Sequence, residues 1–471
     1  MKKFVTIVAL CTGIALHAQQ SANSPMTLNQ CIETALNNNL DVTQGELKMK
    51  SGAINRNQAQ MDRFPDLNGV VSAGINQGRS IDPFTNSYIN QRNDFSSVGL
   101  SSGVVLFDGG TLSNTARQTQ LAYQADKMDW QQIKDNITIQ VILAYLQVLS
   151  NEELLSQAGQ QALLSWRQVE RLTTLNEEGA IKPAMLTDLK GQYANDQLAI
   201  INARNVLASS KLSLAALMNV PYDTAMKVER LDAASLLTSY DANASAIYQE
   251  ALERFAQVKA AELRTRSYEK AVLAAKGTMF PILSLNGNVN TNYSSAARNE
   301  VFLNETDVVS NDYVLVNGVP TQVIRKKANF QSDKIGYTRQ LNNNLFNSIS
   351  LNLRIPLFNS FQARNRVRLA KLDLENYQAI ETTTKTQLQQ SIEQAYLNFT
   401  SASERYKTLL QQVEAYTESF RAAEILFNAG VGNSIDYLTA KNNLDRANIN
   451  AIAAKYDYVL RMRVLDYYRG R

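Results

Sequence analysis

The chain has 471 residues and a formal net charge of +4, from 47 Lys and Arg against 43 Asp and Glu. So small and dispersed a balance excludes the basic footprint of a nucleic-acid binder. His17 is the only histidine, so Ser-His-Asp and Cys-His catalysis and histidine-ligated zinc have nothing to work with in the body of the chain.

Met1-Lys2-Lys3 is a short positive start, and Phe4 to Leu16 is an apolar run of signal-peptide length, too short to span a bilayer. Ala18 offers a small residue for cleavage, so residues 1–18 are expected to be a signal peptide. Its loss removes Lys2, Lys3, Cys11 and His17. The mature balance is then +2, and one thiol remains, Cys31, which cannot form an internal disulfide. No acidic pair stands out from helix-surface charge, so no enzyme activity, cofactor or metal is expected. No later segment has 18 consecutive apolar residues, so the mature chain is either soluble or enters a membrane as β-strands.

The chain is written twice. Leu106-Phe107-Asp108 matches Leu357-Phe358-Asn359 at a shift of 251 residues, and the same shift pairs Ile137 with Leu388 and Ala144-Tyr145 with Ala395-Tyr396. It also pairs Gly179 with Gly430 and Lys190 with Lys441. Phe64-Pro65 matches Phe280-Pro281 at a shift of 216, so a 35-residue insertion lies in the second half. The halves are expected at 26–220 and 245–471, joined by a connector at 221–244.

Strands are expected to open each half. Leu67, Val71, Ala73 and Ile75 alternate with polar residues and glycines, as do Val98, Leu100, Val104 and Leu106. In the second half the pattern is cleaner: Leu283 to Tyr293, and Ile349, Leu351, Leu353, Ile355 and Leu357. Such segments have the length and alternation of membrane-barrel strands. Between them, Asn317-Gly318 flanked by β-rich runs predicts a hairpin inside an external loop at about 294–345.

Long helices follow. Gly110 to Glu178 has no proline, and none occurs after Pro356. Ile133, Ile137, Val141, Ala144 and Val148 recur at helical spacing, and Leu388, Ile392, Ala395 and Phe399 repeat the stripe. Each run ends at a glycine turn, Glu178-Gly179-Ala180 and Ala429-Gly430-Val431-Gly432, read as hairpin tips. Return helices are expected at about 184–218 and 434–468.

Four membrane strands cannot close a barrel, and an open sheet edge in lipid costs several kcal/mol for each unpaired group. Other copies must complete the sheet: two give 8 strands, three give 12 and four give 16, and arithmetic alone does not choose.

This ordered, duplicated set resembles the TolC-like outer-membrane efflux protein family across the mature chain. The residues that carry the likeness are Met26-Thr27-Leu28-Asn29-Gln30-Cys31-Ile32 with Ala35-Leu36-Asn37-Asn38-Asn39, the Phe-Pro pairs, the Leu-Phe-Asp and Leu-Phe-Asn ends, and the glycine tips. The resemblance implies an α+β fold. Four strands per chain would complete a 12-strand barrel in a homotrimer, with a long periplasmic helical barrel below it. It also implies a passive conduit in outer-membrane lipid, serving efflux or type I secretion, with Gly179, Gly430 and Gly432 at tips that dock a periplasmic adaptor and an inner-membrane pump. In that family, acidic residues near the tip of the inner return helix ring the closed entrance. Asp436 falls at the first such position and Thr439 replaces the second. The 251 shift sets Asp188 opposite Thr439, so Asp436 and Asp188 are the candidate gate residues and would favour cations. The alternative is a periplasmic coiled-coil scaffold without a membrane barrel.

Overall fold

The computed structural model describes residues 25–81, 86–90, 92–230 and 243–470. The expected signal peptide, with Cys11 and His17, and the centre of the connector lie outside them. The described residues form two compact units: those within Met1–Ile54, Gln120–Ser267 and Leu374–Arg471 in one, and those within Asn55–Thr119 and Tyr268–Asp373 in the other.

In chain order the first half holds α1 (Leu28–Asn38), α2 (Leu40–Met61), β1 (Asn68–Asn76), β2 (Arg79–Ile81), β3 (Tyr88–Asn90), β4 (Asn93–Phe107), α3 (Thr111–Glu177) and α4 (Pro183–Leu217). The second holds α5 (Ala244–Arg254), α6 (Ala256–Gly277), β5 (Ile282–Ser294), β6 (Arg298–Val316), β7 (Val319–Lys334), α7 (Tyr337–Asn343), β8 (Phe346–Arg354), α8 (Gln362–Asn428) and α9 (Ser434–Arg469). Setting aside β2–β3, β6–β7 and α7, both halves run helix, helix, strand, strand, long helix, return helix. α3 and α8 are each 67 residues long.

Strands therefore do not open the halves, as periodicity suggested; two helices do. α1 starts at a reciprocal capping box of Thr27 and Gln30, which satisfies two free N–H groups. α2 carries no broad apolar stripe, because it approaches α3 through glycines. A Cβ at Gly45 would press on Trp130 and Ile133, and one at Gly52 on Asp126. Close backbone approach replaces the stripe that periodicity searches for.

In the β-containing unit, β1, β4, β5 and β8 form one antiparallel sheet in that order. β8 ends at Arg354 rather than continuing to Leu357, because Pro356 offers no N–H to a ladder. β6 and β7 form a separate ribbon, and Asn317 and Gly318 (φ 53° and 81°) make its two-residue turn as the sequence predicts. The turn from strand to long helix is duplicated too. Gly109 and Gly110 have φ of 69° and 82°, and Ser360 and Phe361, 251 positions on, have 52° and 61°. In the first copy Asp108 accepts from the N–H groups of Gly110 (3.0 Å) and Leu112 (2.7 Å), which starts α3.

In the helical unit the predicted stripes are core. Val141, Tyr145 and Val148 of α3 pack with Cys31 and Ala35 of α1 and Leu214 of α4, and Leu388, Ile392 and Phe399 of α8 pack with Ile247 and Leu465. The fully buried Tyr145 hydroxyl donates to Glu229 O at 2.7 Å and lies 3.1 Å from Met26 O. It thus pins the parallel bridge between Met26 and Val228.

Candidate functional site: an amphipathic sheet and two helical tips

The register decides what the sheet can do. Val71 lies beside Val98, and Leu100 beside Val289. Val104, Leu285 and Leu351 form one row, and Leu283 and Leu353 another. These side chains share one face, and Val71, Leu351 and Leu353 are 76, 63 and 60% exposed. The opposite face carries rows of small polar residues: Ser72, Ser97 and Asn292; Ser101, Asn288 and Ser348; Gly103, Asn286 and Ser350. They bond to one another, the Ser72 and Ser97 hydroxyls at 2.7 Å and Ser348 donating to Asn288 at 2.5 Å. One face suits hydrocarbon and the other water. Among the described residues nothing pairs with the outer edges of β1 and β8.

The tips are built as the glycine turns predict. Gly179 and Gly430 are left-handed (φ 71° and 76°), and the N–H groups of Ala180 and Val431 reach back to the carbonyls of Leu175 (2.8 Å) and Leu426 (3.1 Å). This pattern closes a helix by satisfying its last carbonyls. Gly432 is not left-handed; a Cβ there would stand 3.0 Å from Phe427 N, so it is needed for space. Pro183 opens α4, and Asn433 caps α9 by accepting from Asp436 N at 2.8 Å. Leu186, Leu189, Phe420, Phe427 and Tyr437 fuse the two tips into one core, with the rings of Phe427 and Tyr437 stacked at 4.6 Å.

Asp436 lies exposed in the first turn of α9. Asp188, also exposed, lies near the start of α4 and accepts from the Ser434 hydroxyl at 2.9 Å. The two candidate carboxylates therefore stand at the same end of adjoining helices. Periodicity gave no sign of a second feature nearby. Lys441, 1% exposed, donates to Asp196 at 3.0 Å and Asp445 at 2.6 Å. Ser165 and Gln192 also donate to Asp196, at 2.5 and 2.8 Å. Burial raises the Asp445 carboxyl above its ordinary value against the opposing pull of Lys441. The i,i+4 spacing of Lys441 and Asp445 was the only trace in the sequence, and it reads equally as a surface pair.

An amphipathic antiparallel sheet whose outer edges are unpaired among the described residues defines a membrane-strand class of protein. The sequence model of the outer membrane efflux protein family matches residues 31–220 and 247–470. The chain belongs to that family, which places it in the outer membrane as an efflux protein and sets aside the barrel-less scaffold. It is 21% identical over 446 residues to the toxin and drug export protein A of Aggregatibacter actinomycetemcomitans, covering 92% of this chain and 83% of that protein. Its fold is similar to the outer membrane protein VceC of Vibrio cholerae (TM-score 0.74, 15% identity, 94% of this chain and 96% of that one). It is also similar to the CmeC outer membrane channel of Campylobacter jejuni (TM-score 0.74, 16% identity, 97% and 90%).

Proposed function

We propose that three copies close into a 12-strand outer-membrane barrel continued by a periplasmic helical barrel, a passive conduit for efflux or secretion. The observation that carries this reading is the sheet: apolar on one face, Asn- and Ser-lined on the other, and open at β1 and β8. Unpaired edges in lipid are intolerable, so β8 of one copy meets β1 of the next. Residues 1–18 direct export, 26–220 and 245–471 are the two structural repeats, and 221–244 connects them. The tips at Gly179, Gly430 and Gly432 dock a periplasmic adaptor, through which an inner-membrane pump supplies the energy. Asp436, with Asp188 beside it, rings the periplasmic entrance.

The reading is tested by fractionating cells and measuring native mass in detergent. We expect an outer-membrane species of about three times the subunit mass. A water-soluble periplasmic monomer would overturn the barrel.

A further inference from the structure

We infer that the ribbon of β6 and β7 is an interface between copies of this chain, with the outer edge of β7 in one copy lying along the outer edge of β6 in the next. This rests on the reading of the assembly as a cyclic ring.

The ribbon is incomplete as it stands. Its strands are 19 and 16 residues long, and all of their residues except Ser310, Val323 and Asn329 are exposed. Tyr313, Val314, Leu315, Val316 and Val319 cluster at its turn, each 53 to 71% exposed. A two-stranded hairpin is marginal in water, and a long exposed apolar edge is a template for pairing.

Charge specifies the occupant. β6 carries Glu300, Glu305, Asp307 and Asp312 against one base, Arg298, a net of −3. β7 carries Arg325, Lys326, Lys327 and Lys334 against one acid, Asp333, a net of +3. Two ion pairs within the ribbon use part of this, Arg325 with Asp312 at 2.5 Å and Lys326 with Glu305 at 3.7 Å. Among the described residues Glu300, Asp307, Lys327 and Lys334 have no ion-pair partner. A ribbon with one acidic and one basic edge complements a rotated copy of itself. A two-fold arrangement would instead set acid on acid. Head-to-tail contact is also what the open edges of β1 and β8 require. Because β6 and β7 are antiparallel, the next copy's β6 would continue an antiparallel meander.

The test uses co-expression of two differently tagged full-length chains, one with Thr306→Cys on β6 and one with Ala328→Cys on β7. A short bismaleimide is added to intact cells. Cys31 is buried, so the native background is low. A covalent dimer bearing both tags is expected, and Lys326→Glu with Lys327→Glu should cut its yield several-fold. A second pair, Ser72→Cys on β1 and Ser350→Cys on β8, reports the barrel seam separately. A seam bond without a β6–β7 bond would overturn the inference and leave the barrel standing. That is also the result expected if another polypeptide or lipid covers the ribbon. Absence of both bonds would overturn the ring and the ribbon contact together. Equal bridging between two Thr306→Cys chains would overturn the head-to-tail edge pairing.

Discussion

The Lys441 ammonium is held 3.0 Å from the Asp196 carboxylate in the helical unit, joining α9 to α4 where both leave their tips. Lys190, the position 251 residues earlier, is exposed. Matching lysines in the two halves thus have opposite roles. Lys441→Met would leave Asp196 and Asp445 without their cation, at a cost of about 3–5 kcal/mol. Lys190→Met should stay within about 0.5 kcal/mol of the parent. Denaturant unfolding of the detergent-purified protein measures both, and equal stability of the two variants would remove the ion cluster from the account of what holds the tips together.

The strand-to-helix turns make a second contrast. A Cβ on Gly109 would come within 2.5 Å of Gly277 O and 2.7 Å of Phe280 Cβ, on a residue already at φ 69°. Gly109→Ala should cost more than the ~1–2 kcal/mol of the left-handed conformation alone. Phe361 adopts the same conformation at φ 61° without being glycine. Phe361→Gly removes that strain and should be neutral or stabilising by up to about 1 kcal/mol. Thermal melts followed by circular dichroism would rank the variants, and a harmless Gly109→Ala would show that the close approach can relax.

Burial pushes the Cys31 thiol up to about 11. Against a reference near 8.5, its thiolate fraction at pH 8 is about 0.1% rather than roughly a quarter. Alkylation of the native protein should be slow, and should become fast only after unfolding. The folded value exceeds the unfolded one, so Cys31 leaves stability untouched below about pH 8.5 and subtracts from it as pH rises toward 11. Rapid labelling of the native protein at pH 8, counted by intact mass, would contradict the burial.

At the proposed entrance, Asp436→Asn should lower cation selectivity, read as a smaller reversal potential across a bilayer under a salt gradient. Asp188→Asn should act in the same direction and more weakly, since the Ser434 hydroxyl already holds that carboxylate. Ser434→Ala tests the link: releasing Asp188 should leave Asp436-dependent selectivity intact. Unchanged selectivity in Asp436→Asn would remove it from the gate.

By itself the sequence determined the duplication, the four long strands, the proline-free helices, the glycine tips and the Asn317-Gly318 turn. Apart from the duplication, which shows as a constant shift of 251 residues, each of these is local: a period, a missing N–H or a required positive φ is written in neighbouring residues. Helix α2 escaped because it packs through Gly45 and Gly52 rather than along an apolar stripe. Only the tertiary structure decided the rest. Register aligned four separate alternations into one apolar and one polar face. Packing buried Lys441 against an acid 245 residues away while leaving Lys190 in solvent. It also carried Ser434 of one tip to Asp188 of the other. Such pairings depend on which segments meet across the fold, and no local pattern along the chain encodes that.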